Sequence, residues 1–239
     1  MKFATNPVIA HRGAFKAMNL PENSIAALKQ AIQLGCAGSE FDVWMTADDS
    51  LVVNHDPVFD KMDIETTAYG KLASIPLANG EKLPLLRNFL LAGMEGNDHT
   101  RLVLEIKQSR ISKDRQAGVV AGILALIKEL KAERYITYIS FDYSTLLQII
   151  ELDKSAQTQY LNGDKSPQEL AADRISGADY HYSVFRKHPE WIESAKQLRL
   201  TLNAWTVNDP AEMDWFISKG FDFITTNEPE LLLQKSNRN

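Results

Sequence analysis

Three acidic residues are spaced so that they could share one metal ion. Glu40 and Asp42 lie two residues apart in one strand-like run, and Glu105 lies near the end of another. Residues two apart in a β-strand project to the same face, so Glu40 and Asp42 point in one direction. Three carboxylates in one buried cavity repel one another unless a cation lies among them. Oxygen ligands are typical of Mg²⁺ or Ca²⁺, with Mn²⁺ also acceptable, and they disfavour zinc.

Two histidines accompany these acids. His11 ends the first strand-like run, and His55 follows the run after Asp42. Imidazole titrates near neutrality, so a pair of histidines can divide the roles of general base and general acid. An isolated histidine at a strand end more often makes a structural hydrogen bond, but the neighbouring carboxylates favour catalysis here. The other histidines lack such neighbours and are interpreted as surface or structural residues: His99, His181 and His188.

Two basic residues accompany the same groups. Arg12 directly follows His11, and Lys107 lies two residues after Glu105. One interpretation is that they form ordinary ion pairs with the acids. The other is that they bind an anion, because a guanidinium presents a planar fork that matches phosphate oxygens and an ammonium adds a second charge. Together with a metal ion, they would offset the charge of a phosphodiester and of its transition state.

The elements that position these side chains repeat in a simple order, in which strand-like runs alternate with stretches of helical periodicity. The eight runs are residues 8–11, 39–43, 102–106, 136–141, 158–161, 179–183, 200–207 and 221–225. The clearest helical patterns are residues 24–34, 119–130, 143–152, 191–198 and 211–219. This order predicts an α/β fold, specifically a (β/α)8 TIM barrel, for which about 250 residues is a typical length. An open doubly wound sheet is disfavoured because no GxGxxG turn follows a strand.

In such a barrel the carboxyl ends of the strands meet at one mouth, so the acids, the histidines and the basic residues converge there. Phe141 ends the fourth run and Trp205 lies near the end of the seventh. Both could form an apolar wall beside the site, and both could equally belong to the barrel core.

One further run, residues 51–54, follows the second barrel strand too closely for a parallel crossover, so it must return as an antiparallel hairpin. If the turn centres on Asp48 and Asp49, paired residue numbers sum to about 97, which places His55 beside Asp42. Residues 56–83 then form a small insertion between the second and third barrel strands of a single domain, 1–239.

The composition narrows the classes of partner. The formal net charge of −5 argues against a nucleic-acid partner, since binding to a phosphate backbone requires a basic face. No stretch approaches the roughly 18 apolar residues of a membrane span, and the first residues lack the apolar region of a signal peptide. A cytoplasmic protein is expected, or a periplasmic or secreted one if a signal peptide has been removed. Cys36 is the single cysteine, so no intramolecular disulfide forms.

Seven short strings resemble the glycerophosphodiester phosphodiesterase family and occur in the family's order over nearly the whole chain. They are Ala10-His11-Arg12-Gly13, Pro21-Glu22-Asn23-Ser24, Glu40-Phe41-Asp42-Val43, Val53-Asn54-His55-Asp56, Leu104-Glu105-Ile106-Lys107, Ser140-Phe141-Asp142 and Trp205-Thr206-Val207-Asn208. Each string alone is weakly specific, but seven in order are highly specific. The chain departs from the family in two places, an Arg199 where a glycine often precedes the seventh strand and a Thr-Asp-x-Pro pattern that reads Thr226-Asn227-Glu228-Pro229.

The resemblance implies a TIM barrel with an insertion and an enzyme that converts small glycerophosphodiesters to glycerol 3-phosphate and an alcohol. It implies that Glu40, Asp42 and Glu105 bind one divalent metal ion, that His11 and His55 are the acid and base, and that Arg12 and Lys107 hold the phosphate. In that setting Phe141 and Trp205 would contact the carbons of the glycerol or of the headgroup.

Two alternatives remain beside this hypothesis. The first is a lyase that cyclises lysophospholipid-like substrates, which is weakly disfavoured by the lack of a long apolar or basic membrane-facing segment. The second is a non-catalytic module that binds phosphodiesters, which the intact pair of His11 and His55 argues against.

Overall fold

The computed structural model describes residues 3–237. Within them, eight parallel strands pair side by side and close into a ring, because the first strand pairs with both the second and the last. The strands in chain order are β1 (Val8–Ala10), β2 (Gly38–Met45), β3 (Leu51–Val53), β4 (Val58–Phe59), β5 (Met62–Asp63), β6 (Arg101–Ile106), β7 (Ile136–Ser140), β8 (Thr158–Tyr160), β9 (Gly177–His181), β10 (Thr201–Trp205) and β11 (Phe223–Thr226). The barrel consists of β1, β2 and β6 to β11, so the predicted (β/α)8 TIM barrel is confirmed.

Helices follow the barrel strands and pack around the ring. They are α1 (Ile25–Gln33), α2 (Tyr69–Leu72), α3 (Leu86–Met94), α4 (Lys113–Leu130), α5 (Tyr143–Leu152), α6 (Pro167–Ala172), α7 (Tyr182–Lys187), α8 (Glu190–Gln197), α9 (Pro210–Ser218) and α10 (Pro229–Ser236). In the described part of the chain, none of these helices has the length and apolarity that crossing a membrane requires.

Polar side chains fix where the helices begin. The hydroxyl of Ser24 accepts a hydrogen bond from the backbone N–H of Ala27, and the carboxylate of Asp209 accepts from two N–H groups of the first turn of α9. Such caps satisfy backbone donors that have no partner inside the helix. Helix α9 therefore starts shortly after the end of β10 at the mouth.

The predicted strand at residues 179–183 is shifted, because β9 covers Gly177–His181 and helix α7 begins at Tyr182. The backbone of Gly177 lies against β10, where an added Cβ would come within 2.8 Å of the carbonyl oxygen of Thr201. The glycine therefore permits close strand packing, although glycine is uncommon inside strands. The shift leaves Asp179 in the middle of a strand.

The predicted hairpin is present, but its predicted register is wrong by one residue. β3 runs antiparallel to β2 with Val43 opposite Val53, so paired numbers sum to 96. The loop has three residues, and Asp49 adopts a left-handed conformation with φ of 62°. Consequently Asn54 pairs with Asp42 through its backbone N–H, and His55 lies one residue beyond it.

Between β3 and β6 the chain forms the β4–β5 ribbon, α2 and α3. Apolar side chains from residues 56–83, including Ile64, Leu72 and Leu83, pack against Trp44 and Val52 of the β2–β3 hairpin. On the far side, the buried carboxylate of Glu65 bonds to residues 109 and 110, which follow β6. We retain the proposal of a single domain with this insertion; residues 1, 2, 238 and 239 lie outside the described residues.

Candidate active site

The three acids meet at the carboxyl ends of neighbouring strands. Glu40 and Asp42 lie on β2 and Glu105 lies on β6, with Asp42 and Glu105 in register. All three are buried, and one carboxylate oxygen of each lies within 4.8 Å of the others. Carboxylates so close together in a poorly solvated cavity form an arrangement that favours a cation.

Lys107 supplies part of the positive charge in this cluster. Its Nζ lies 2.7 Å from Oδ1 of Asp42 and 2.6 Å from Oε1 of Glu105. The interpretation that the acids form ion pairs with Lys107 therefore holds for two of them. Glu40 accepts a hydrogen bond from the backbone N–H of Arg12 at 2.8 Å instead. One ammonium among three carboxylates leaves negative charge for a further cation to offset.

The pKa values of the acids reflect this incomplete neutralisation. Burial, reinforced by the charges of Asp42 and Glu105, holds the pKa of Glu40 well above its ordinary value. Burial and the charge of Asp42 raise the pKa of Glu105 to about 7. Burial also favours protonated Asp42, but Lys107 and other positive neighbours outweigh it and lower its pKa.

His11 is oriented by a residue from the opposite end of the chain. Its Nδ1 lies 2.7 Å from Oδ1 of Asn227, and its Nε2 lies 4.0 Å from Oε2 of Glu40. Because an amide oxygen only accepts hydrogen bonds, we assign the proton to Nδ1. Burial and the nearby Arg12 lower the pKa of His11 to about 4. At neutral pH, His11 therefore presents an unprotonated Nε2 to the acidic cluster.

His55 lies at the more open side of the site. Its Nδ1 lies 2.8 Å from Oδ1 of Asp56, an arrangement in which the ring donates to a carboxylate. A carboxylate at Nδ1 orients an imidazole and fixes which ring nitrogen carries the proton. The two histidines thus differ in their partners, an amide for His11 and a carboxylate for His55.

Arg12 sits at the edge of the site in a left-handed conformation, with φ of 54°. Its Nη1 donates to both oxygens of Glu22 at 2.9 and 3.0 Å. Its Nε lies 3.9 Å from Oδ2 of Asp42 and is buried without a hydrogen-bond partner among the described residues. Since Glu22 anchors one end of the guanidinium, the unpaired Nε–H is left beside Asp42, in a residue that lines the cavity.

An open cavity of about 500 Å³ contains these groups. Phe141 and Trp205 form one wall, with ring centroids 5.5 Å apart in an edge-to-face arrangement. Phe141 is 43% exposed, so it belongs to the rim and not to the core. The cavity is lined by His11, Arg12, Glu40, His55, Glu105, Lys107, Ile139, Phe141, Leu161, Asp179, Trp205, Thr206 and Thr225.

Nearly all of the residues singled out from the sequence thus meet in one place. Asp42 does not line the cavity, because its carboxylate is covered by Lys107 and by the side chain of Asn23. The amide of Asn23 donates to Oδ2 of Asp42 at 2.8 Å. The other histidines do not line the cavity: Nδ1 of His181 caps α7 while its ring packs edge-on against Trp205, and His188 stacks on Trp191.

Sequence reasoning missed four residues that support the site: Asn23, Asp56, Asp179 and Asn227. The side chain of Asn23 holds Asp42 by donating to its Oδ2 and accepting from its backbone N–H. Asp56 and Asn227 orient the two histidines. Asn227 replaces the aspartate of the Thr-Asp-x-Pro pattern. That departure from the family pattern was the feature of the sequence that could have pointed to the hydrogen bond between Asn227 and His11.

Comparisons with known proteins show which proteins have a similar sequence. The sequence model of the "Glycerophosphoryl diester phosphodiesterase family" matches residues 11–231. A glycerophosphodiester phosphodiesterase from Caldanaerobacter subterraneus subsp. tengcongensis is 31% identical over 240 residues, which cover 95% of this chain and 96% of that protein.

Solved structures match the fold. The crystal structure of a glycerophosphodiester phosphodiesterase from Parabacteroides distasonis has a TM-score of 0.94 and 38% identity, covering 99% of this chain and 98% of that one. A glycerophosphodiester phosphodiesterase from Agrobacterium tumefaciens has a TM-score of 0.80 at 22% identity, covering 96% and 99%, and indicates a shared fold.

Proposed function

Because the chain belongs to the glycerophosphoryl diester phosphodiesterase family, we propose that it hydrolyses glycerophosphodiesters to glycerol 3-phosphate and an alcohol. The reaction depends on one divalent metal ion and on His11 and His55. The observation that carries this proposal is that three buried carboxylates lie within 4.8 Å of one another beside a cavity that two differently oriented imidazoles line. A site that only bound phosphodiesters would not need both imidazoles.

Glu40, Asp42 and Glu105 would hold the metal ion. The oxygen-only donor set and the uncompensated charge on Glu40 fit Mg²⁺ or Ca²⁺, with Mn²⁺ also suitable. When bound, such an ion supplies positive charge that offsets the phosphodiester and its transition state. Lys107 and Arg12 add to that charge from the protein side, because the ammonium lies at the cluster and Arg12 lines the same cavity.

The two histidines divide the proton transfers. The unprotonated Nε2 of His11 removes a proton from the attacking oxygen, and His55, supported by Asp56, gives a proton to the departing alcohol. The attacking oxygen belongs to water or to the free glycerol hydroxyl next to the phosphate. In the second route a cyclic phosphodiester forms, and water then opens it to glycerol 3-phosphate.

A coupled assay for glycerol 3-phosphate tests the proposal. Chelator-stripped protein is supplied with each metal in turn and with glycerophosphodiesters that carry choline, ethanolamine or glycerol. We expect glycerol 3-phosphate from at least one diester and with at least one of the three metals. A substrate without the hydroxyl next to the phosphate separates the two routes, because only direct attack by water leaves its cleavage intact. Binding without any product would overturn the proposed activity.

Metal affinity is expected to fall as the pH is lowered from about 8 to about 6. The pKa of Glu105 is about 7 and that of Glu40 is raised, so below these values protons occupy the carboxylates and the metal must displace them. Each displaced proton lowers affinity by up to about tenfold per pH unit. Calorimetry in buffers of different ionisation enthalpy measures the protons released. Glu105→Gln should bind metal more weakly and release fewer protons near pH 7, whereas pH-independent binding would contradict the proposed ligands.

Arg12→Lys is expected to lower kcat/KM. The loss corresponds to about 1–3 kcal/mol of transition-state stabilisation. The substitution keeps the charge but loses the planar fork, which Glu22 orients beside the cavity. Steady-state kinetics on the metal-loaded variant measure the effect. Arg186→Lys is the matched control, because Arg186 pairs with Glu212 away from the site. Unchanged kcat/KM for Arg12→Lys would assign Arg12 a structural role.

A further inference from the structure

Asp179 is a buried acid that the proposed mechanism does not use. It lies in the middle of β9 and is 1% exposed. Its Oδ1 has no hydrogen-bond partner within residues 3–237. By contrast, Asn203 on the adjacent strand β10 has a partner, since its Nδ2 donates to the hydroxyl of Thr225 at 3.0 Å. Burying a polar atom without a hydrogen-bond partner costs free energy. We therefore expect a ligand to bind Oδ1 of Asp179.

The surroundings of Asp179 show where that ligand would lie. Asp179 lines the same cavity as Glu105, between the apolar side chains of Ile139 and Leu161 and the indole of Trp205. The indole Nε1 donates to the backbone carbonyl of Asp179 at 2.9 Å, which fixes the two residues together. Asp179 therefore belongs to the inner wall of the cavity, held beside the indole of Trp205.

We propose that Asp179 determines specificity by hydrogen bonding the terminal hydroxyl of the substrate's glycerol. This inference rests on the proposed function. In the route through a cyclic phosphodiester, the hydroxyl next to the phosphate reacts near His11, which leaves the terminal hydroxyl free to reach the inner wall. Ile139 and Leu161 provide apolar contacts for the glycerol carbons.

The chemistry of Asp179 suits a hydroxyl better than the other parts of the substrate. Burial and the charge of Glu105 raise the pKa of Asp179 to about 8, yet a hydroxyl can accept from the neutral acid or donate to the carboxylate. A phosphate would be repelled by the ionised form, and a trimethylammonium group has no N–H to offer. The bond therefore does not depend on the protonation state of Asp179.

Two substrates isolate this contact: glycerophosphocholine, and the analogue in which propane-1,2-diol replaces glycerol. The analogue keeps the hydroxyl next to the phosphate and carries a methyl group in place of the terminal hydroxymethyl group. We expect the wild type to prefer glycerophosphocholine by at least about tenfold in kcat/KM, since a site built for a hydroxyl rejects the analogue that lacks it. In Asp179→Ala the preference should fall below about threefold through loss of activity on glycerophosphocholine alone. Asp179→Asn should retain most of the preference because an amide still bonds to a hydroxyl.

Gln159 provides the matched control. It lies on the adjacent strand β8, is 5% exposed and also has an unpaired oxygen, but it does not line the cavity. Gln159→Met should therefore leave the preference between the two substrates unchanged. Equal losses on both substrates in Asp179→Ala, or an unaltered preference, would overturn the proposal.

A binding measurement keeps this test separate from the proposed activity. Metal-loaded wild type and Asp179→Ala are titrated with sn-glycerol 3-phosphate and with propane-1,2-diol 1-phosphate. A wild-type preference for glycerol 3-phosphate that is lost in Asp179→Ala supports the role of Asp179, even if neither diester is turned over. No turnover by the wild type would refute the activity alone, whereas the same binding preference in both proteins would refute the role of Asp179.

Discussion

Replacing His11 with alanine is expected to lower kcat/KM for glycerol 3-phosphate release by about 10²- to 10⁴-fold, and His55→Ala should have an effect of similar size. The reason is geometric: His11 presents an unprotonated Nε2 to the acidic cluster, and His55 lies across the same cavity with Asp56 at its Nδ1. Because the two imidazoles act as a unit, the double variant should be little worse than either single variant. In the wild type kcat/KM should be bell-shaped in pH.

The controls for these variants separate chemistry from folding. Circular dichroism and metal content should be unchanged in His11→Ala and His55→Ala. His188→Ala removes a histidine that stacks on Trp191 away from the cavity, and it should keep near-normal kcat/KM. Near-normal turnover in His55→Ala would show that the acid lies elsewhere at the mouth, with Lys107 the first candidate.

Removal of the metal is expected to abolish activity, and Glu40→Gln should weaken metal binding by more than about 100-fold. Loss of a residue that merely supports a metal ligand costs about 10- to 100-fold in affinity, and Glu40 is proposed to be a ligand itself. Its carboxylate is the one that Lys107 does not contact, so its charge is left for the metal. Isothermal titration of stripped protein with Mg²⁺ and with Ca²⁺ measures the affinity.

A surface substitution serves as the control for the Glu40 variant. Glu95→Gln removes a carboxylate whose partner is the exposed Lys29, so metal affinity should stay at the wild-type value. Wild-type affinity in Glu40→Gln would contradict the proposed ligand set.

The barrel could be predicted from the sequence because its signals are local. Strand-like runs alternate with helical periodicity, and caps such as Ser24 and Asp209 lie where the helices begin. The elements that were missed are short or directly joined to a neighbour. Helix α7 follows β9 without a loop, so its apolar residues merge with the strand pattern and displaced the predicted strand toward residues 179–183.

The hairpin register shows the limit of turn prediction. A two-residue turn at Asp48 and Asp49 was expected, but left-handed Asp49 allows a three-residue loop. The one-residue shift in register makes Asn54, and not His55, the residue that pairs with Asp42. His55 still lines the cavity because the chain leaves the strand pairing after Asn54.

The residues that support the site were less accessible to sequence reasoning than the site itself. Carboxylates and histidines at strand ends are conspicuous, whereas the contact between His11 and Asn227 joins residues 216 positions apart and depends on strand closure. Asp179 was overlooked because a single acid in a strand-like run reads as a solvent-facing residue. Its burial follows from the inward orientation of the middle of β9, which the shifted strand prediction did not capture.

Phosphorus NMR of glycerophosphocholine with stripped and metal-reloaded protein is the most direct test of metal-dependent hydrolysis at this site. We expect no change of the diester signal with stripped protein. After addition of Mg²⁺, Ca²⁺ or Mn²⁺, the monoester signal of glycerol 3-phosphate should appear, and it should stay absent at matched times with metal-loaded His11→Ala. Conversion in excess chelator, or a cyclic phosphodiester that persists as the final product, would contradict the proposed reaction.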